Sequence, residues 1–148
     1  MKTVSYNKLP INYESFDIDN DGACGTGKHG IWGISPDTFE IIGVEGMEPC
    51  IGICIYSELA GIRAAFHLAQ TDDAYNTLNQ YKWPPDSRVI IAGASSSNFV
   101  VKAQLAEVLT FFRWRNFTID GFIPGNKVSG IYVDRDGNWF VLPPKDQN

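Results

Sequence analysis

Nowhere in this chain do apolar residues run for the roughly 18–20 positions that a membrane-crossing helix needs, so no membrane insertion is expected. Cysteine is scarce and odd in number: Cys24, Cys50 and Cys54 show no framework spacing and predict reduced thiols rather than a disulfide scaffold. Histidine is scarcer still, with only His29 and His67. Neither Cys-x-x-Cys nor His-x-x-x-His occurs, so no metal and no cofactor is expected. Basic residues are outnumbered, 12 against 17 acids, for a formal charge of −5. That balance removes the electrostatic case for a nucleic-acid partner and favours basic or neutral protein surfaces. The opening Met1-Lys2-Thr3-Val4-Ser5-Tyr6 has no apolar signal core, so the expectation is a cytoplasmic protein, or an effector secreted by a route that uses no such signal. Composition sets no oligomeric state.

What is present is an ordinary globular mixture, 44% hydrophobic and 20% charged over 148 residues, enough for a single domain with a real core. Residues 1–30 are polar and turn-rich, 31–142 carry the core, and 143–148 are a tail. Short strands are predicted at Gly30 to Ile34 and Phe39 to Val44, then at Ser87 to Ala92, Phe117 to Gly121, Val128 to Asp134 and Trp139 to Leu142. Thr71 to Tyr81 reads as a helix capped by Thr71, with Asp72 and Asp73 in its first turn. Val101 to Arg115 reads as a longer helix with an apolar stripe through Leu105, Val108, Leu109 and Phe112. Trp83-Pro84-Pro85-Asp86 is a stop, and Asp134-Arg135-Asp136-Gly137 a hairpin turn. Strands outnumber helices and most are joined by short turns. The fold class expected is therefore α/β (α+β): a layered sandwich with a mixed, mostly antiparallel sheet and packed helices.

The chemistry-bearing residues fall on one predicted hairpin. Its first arm is Cys50-Ile51-Gly52-Ile53-Cys54-Ile55-Tyr56 and its second Ile62-Arg63-Ala64-Ala65-Phe66-His67-Leu68. A loop of Ser57 to Ala60 sets Ile55 against Ile62, Ile53 against Ala64 and Ile51 against Phe66, with Cys50 facing His67. All the apolar pairs then share one face, which a one-residue slip would destroy. A thiol beside an imidazole is the minimal machinery of a cysteine nucleophile. Cys54, four residues along on the same face, reads as a structural residue.

These segments resemble the chemoreceptor glutamine deamidases of the CheD family. The resemblance rests on the strand opening with Cys50, on His67 seventeen residues later at the end of the next strand, and on Arg88-Val89-Ile90-Ile91-Ala92-Gly93-Ala94, a strand ending in Gly-Ala. A long helix and an Asp-Gly hairpin follow, so the likeness spans about residues 40–142. The cytotoxic necrotizing factor type of toxin shares that layered fold. The resemblance implies a three-layer α/β/α-like fold and a Cys–His deamidase acting on a protein that carries a reactive glutamine. The chain departs from the family at Pro49, where a small residue is usual. It departs again at Val44, six residues before the cysteine, where a threonine helps orient the histidine. The resemblance assigns that orienting role to the backbone carbonyl of Val44.

The expected reaction is hydrolysis of a glutamine side-chain amide. Cys50 attacks as a thiolate held in an ion pair by His67, which then protonates the departing ammonia. The settings that fit are a chemotaxis enzyme, a secreted effector or toxin, and an orphan relative. Two other readings compete. Laccase-like purine nucleoside phosphorylases have a similar Cys-to-His spacing, but their histidine is followed by Ala-Gly-Trp-Arg-Gly, whereas Leu68-Ala69-Gln70-Thr71 follows here. The other is a non-catalytic binding module of the same fold. Near the N-terminus, Asp17, Asp19, Asp21 and Gly22 imitate a calcium loop, but Lys28 stands where a bidentate glutamate is required. Gly22 to Lys28 imitates a phosphate loop with His29 in place of the hydroxyl residue. The segment reads as a turn-rich loop, and its functional reading is a flap that carries Cys24 and His29 to the site.

Overall fold

The structure, a computed structural model, describes residues 31–32, 41–45, 50–69, 72–79, 82–93, 99–124, 130–134 and 136–142. The strands are β1 (Ile31–Trp32), β2 (Ile41–Glu45), β3 (Ile51–Ser57), β4 (Ile62–Leu68), β5 (Arg88–Gly93), β6 (Thr118–Pro124), β7 (Gly130–Asp134) and β8 (Trp139–Leu142). The helices are α1 (Ala74–Asn79) and α2 (Phe99–Trp114). A five-stranded sheet runs β1-β4-β3-β5-β6, and a three-stranded sheet runs β2-β7-β8. Every pairing is antiparallel except β5 with β6, which α2 connects. This is the mixed, mostly antiparallel α+β sandwich expected.

Alternation along the central strands builds two cores, one on each face of the large sheet. Ile51, Ile53, Ile55, Phe66, Val89 and Ile91 point toward the helices and pack against Leu78, Val108, Phe111 and Phe112. Cys54, Tyr56, Ala65, Ile90 and Ala92 point the other way and meet Ile42, Val44, Ile131, Val133 and Val141 of the small sheet. The layers are therefore helix, sheet, sheet. Three layers match the α/β/α-like expectation in number, but among the described residues the third is a sheet. Its strands are short and alternate, so each has one apolar face to bury, and a second sheet satisfies both partners.

Helix ends differ in how well the sequence marks them. α2 closes in a Schellman turn: Phe117 N–H donates to Phe112 O at 3.0 Å and Asn116 N–H to Arg113 O at 3.1 Å, with Asn116 left-handed at φ 58°. Phe117 then stacks on Phe112, ring centroids 4.9 Å apart. α1 begins later than expected, at Ala74 rather than Thr71. Its cap is Asp73, whose carboxylate accepts Asn76 N–H at 3.0 Å. Thr71 lies outside the described residues. Asp72 and Asp73 thus precede the helix instead of filling its first turn, because an aspartate competes well for the capping position. Among the described residues no helix is long and apolar enough to cross a membrane.

Candidate active site

Four chain segments converge at one end of the large sheet: the start of β3, the end of β4, the end of β5 and the turn leading into α1. Cys50 sits one residue before β3 and is half-buried. Ile51, the first residue of that strand, lies between Leu68 of β4 and Gly93 of β5. Because β5 and β6 are parallel, this is also the carboxyl end of a parallel pair, where open α/β sheets form their ligand crevices.

The hairpin register differs from the expectation by two positions. His67 lies opposite Gly52, not opposite Cys50, and Ser57 pairs with Ile62. The loop is Glu58 to Gly61, shifted one residue along the chain. Two features cause the shift. Gly61 has φ of 64°, a turn conformation that a strand position does not allow, and its N–H donates to Glu58 O at 3.2 Å. Asp86 fixes the other side, its carboxylate accepting the Ser57 hydroxyl at 2.6 Å and Leu59 N–H at 3.0 Å. Ser57 is thereby drawn into the strand. A two-residue shift preserves the faces, so the apolar pairs remain on the helix side.

Continued one position past the Ile51–Leu68 pair, this register puts Cys50 on a diagonal from His67 rather than directly opposite it. Diagonal neighbours lie roughly 7–8 Å apart at Cα and somewhat less at Cβ, within reach of an aromatic ring. Gly52, directly across from His67, presents no side chain to block that approach. His67 itself is buried.

The residues around this pair were only partly anticipated. Gly93 has φ of 123°, and a Cβ there would overlap the carbonyl oxygen of Cys50 and lie 2.9 Å from Ile51 Cα. Only glycine lets β5 close on the backbone of Cys50 this tightly. Gln104, on α2, clips the segment after His67 in place: its Nε2 donates to Ala69 O at 2.7 Å and to Asp72 O at 3.0 Å. The Asp72 carboxylate accepts Ala69 N–H at 2.8 Å. A glutamine on the polar edge of an amphipathic helix carries no sequence signal of such a role.

Burial pushes the Cys50 thiol above its ordinary range, and the nearby Asp72 carboxylate pushes it further the same way. That direction runs opposite to the resting thiolate ion pair expected. Partial burial and the Asp72 charge both favour the protonated form.

Val44 lies in β2, paired with Ile131, its side chain wholly buried between the sheets with Ala65 and Cys54. Cys54 is also wholly buried and donates from Sγ to Ile131 O at 3.6 Å, in keeping with a structural part. Cys24, His29 and the imitations of calcium and phosphate loops lie outside the described residues.

Comparison of the chain with protein-family profiles and with curated proteins finds no match.

Proposed function

We propose that this protein is a cysteine-dependent amidohydrolase of CheD-like fold that converts a glutamine side chain of a partner protein to glutamate. The observation that carries the reading is the placement of Cys50: a half-buried thiol just before β3, its backbone held by Gly93, which the continued hairpin register puts one diagonal from His67 on β4. The Cys50 sulfur attacks the carboxamide carbon while His67 takes the thiol proton. His67 returns that proton to the nitrogen, the C–N bond breaks and ammonia leaves. Water, deprotonated by His67, cleaves the thioester, giving glutamate and the free thiol. The backbone N–H of Cys50 is the proposed donor to the oxyanion. The carbonyl of Val44 is the proposed acceptor that orients the imidazole.

A thiol raised by burial fits His67 acting as a general base during attack better than a preformed thiolate. The same elevation favours a second reading, a binding module in which Cys50 is inert. Cys50→Ser and Cys54→Ser variants separate the readings. The proposed enzyme loses ammonia release from a glutamine-bearing protein only in the first, with folding preserved in both. Loss in Cys54→Ser would reassign the nucleophile, and activity in Cys50→Ser would end the covalent mechanism.

A further inference from the structure

The outer face of the helix layer carries a long groove that the proposed chemistry does not use. One cavity of about 330 Å³ is walled by Asp72, Asp73, Phe99, Val100 and Glu107. A second, of about 870 Å³, is walled by Asp73, Tyr75, Glu107, Phe111 and Trp114. Asp73 and Glu107 line both, so the two adjoin along α2. Together they flank α2 from Phe99 to Trp114, roughly 22 Å at the helical rise of 1.5 Å per residue.

Its lining is unusual for a face that water should cover. Phe99 and Trp114 are each 82% exposed, Val100 52% and Tyr75 49%. Four large apolar side chains exposed along two adjoining cavities form the kind of surface that marks a protein-binding site. The charge there is acidic. Among the described lining residues, Asp72, Asp73 and Glu107 stand against one cation, Arg115. That guanidinium is committed within the chain, donating to Asn79 Oδ1 at 2.8 Å and lying 3.7 Å from the Phe111 ring centroid.

We infer that this groove docks a basic, apolar segment of a partner protein. Lysine or arginine side chains fit the combination, since their stems lie on apolar surface while their heads meet carboxylates. The positive end of α2 at Phe99 opposes a cation by about half a charge, which three carboxylates outweigh. A second copy of this chain is disfavoured as occupant, because each copy carries −5. Asp72 ties the groove to the candidate site, being both its wall and the carboxylate felt by Cys50. The further step, that the docked partner is the substrate whose glutamine reaches Cys50, rests on the proposed amidohydrolase reading.

The test is fluorescence anisotropy with two labelled amphipathic peptides, one of leucine and lysine and one of leucine and glutamate, added to the full chain and to its Cys50→Ser variant. Saturable binding of the lysine peptide alone is expected, equal in both proteins. Trp114→Ala should weaken it about fivefold or more, as loss of an aromatic anchor does. Glu107→Lys should weaken it about two- to fivefold or more. Both substitutions fall on exposed side chains, so folding is preserved. Equal binding of the two peptides, unchanged affinity in both variants, or self-association abolished by Trp114→Ala would overturn the proposal. Peptide binding with an inert Cys50 would leave the groove standing and remove the enzyme reading. A reactive Cys50 without peptide binding would do the reverse.

Discussion

Gly93 and Cys50 meet backbone to backbone: a single added carbon on Gly93 would overlap the carbonyl oxygen of Cys50. The last residue of β5 thus sets where the thiol before β3 stands. Gly93→Ala must adopt a φ of 123° and also displace Cys50. We expect a stability loss of about 1–3 kcal/mol, the cost of a strained backbone position. We also expect loss of Cys50 reactivity beyond what partial unfolding explains. Thermal melts and thiol-labelling rates on the same samples separate the two effects.

Asp72 raises the Cys50 thiol through its charge. Removing that charge favours the thiolate, so Asp72→Asn should move the alkylation profile of Cys50 toward lower pH. Burial, the larger cause, remains, so the profile should stay alkaline of an ordinary thiol. The side-chain amide keeps an oxygen to accept Ala69 N–H, which limits structural disturbance. Iodoacetamide rates across pH, with each cysteine located by peptide mass, provide the check. A profile identical to wild type would show that the carboxylate does not act on the thiol.

Asp86 holds the hairpin register through Ser57 and Leu59, and these bonds keep its carboxyl below the usual carboxylate range, the Ser57 hydroxyl contributing most. A depressed carboxyl contributes stability above its unfolded pKa of about 3.9 and loses it as pH falls through the lower folded value. Wild type should therefore lose this contribution only below about pH 4. Asp86→Asn should lack that part of the acid limb and melt lower at neutral pH. Melting curves collected from acid to neutral pH would show it; parallel limbs in the two proteins would contradict it.

Arg88 locks the far end of the molecule. It bonds Asp120 at 3.2 Å and Gly137 O at 3.2 Å, and its guanidinium lies 5.4 Å from the Tyr56 ring centroid and 5.7 Å from that of Trp139. Trp139 Nε1 donates to the same Asp120 carboxylate at 2.6 Å. Arg88→Ala should cost about 1–3 kcal/mol by stripping these contacts from both sheets. It should leave the pH profile of Cys50 unchanged, because Arg88 and Gly93 stand at opposite ends of β5, roughly 17 Å apart. A changed profile would mean that the two ends are coupled.

The hydrophobic pattern carried much of this structure on its face. The alternation of Ile51, Ile53 and Ile55 against Ala64 and Phe66 identified both arms of the hairpin and which faces they bury, because a strand has period two. It did not set the register, since the same faces survive a two-residue shift. That choice was made by Gly61 and by Asp86, a residue 29 positions from the Ser57 it binds. The stripe along α2 was legible, but its clip through Gln104 was not, because it depends on two backbone carbonyls of another segment. The pair Cys50 and His67 was legible as a candidate. The charge around it was not, since Asp72 reads from sequence only as a helix-start acid.

The central claim is that Cys50 attacks a glutamine carboxamide with His67 as its base. The most direct test is a peptide in which the glutamine carboxamide is replaced by a chloromethyl ketone, so that a positioned thiol displaces chloride and stays attached. The account predicts one adduct at neutral pH, on Cys50, formed at least about tenfold more slowly in His67→Ala. An adduct on Cys54, or equal rates with and without the imidazole, would contradict it.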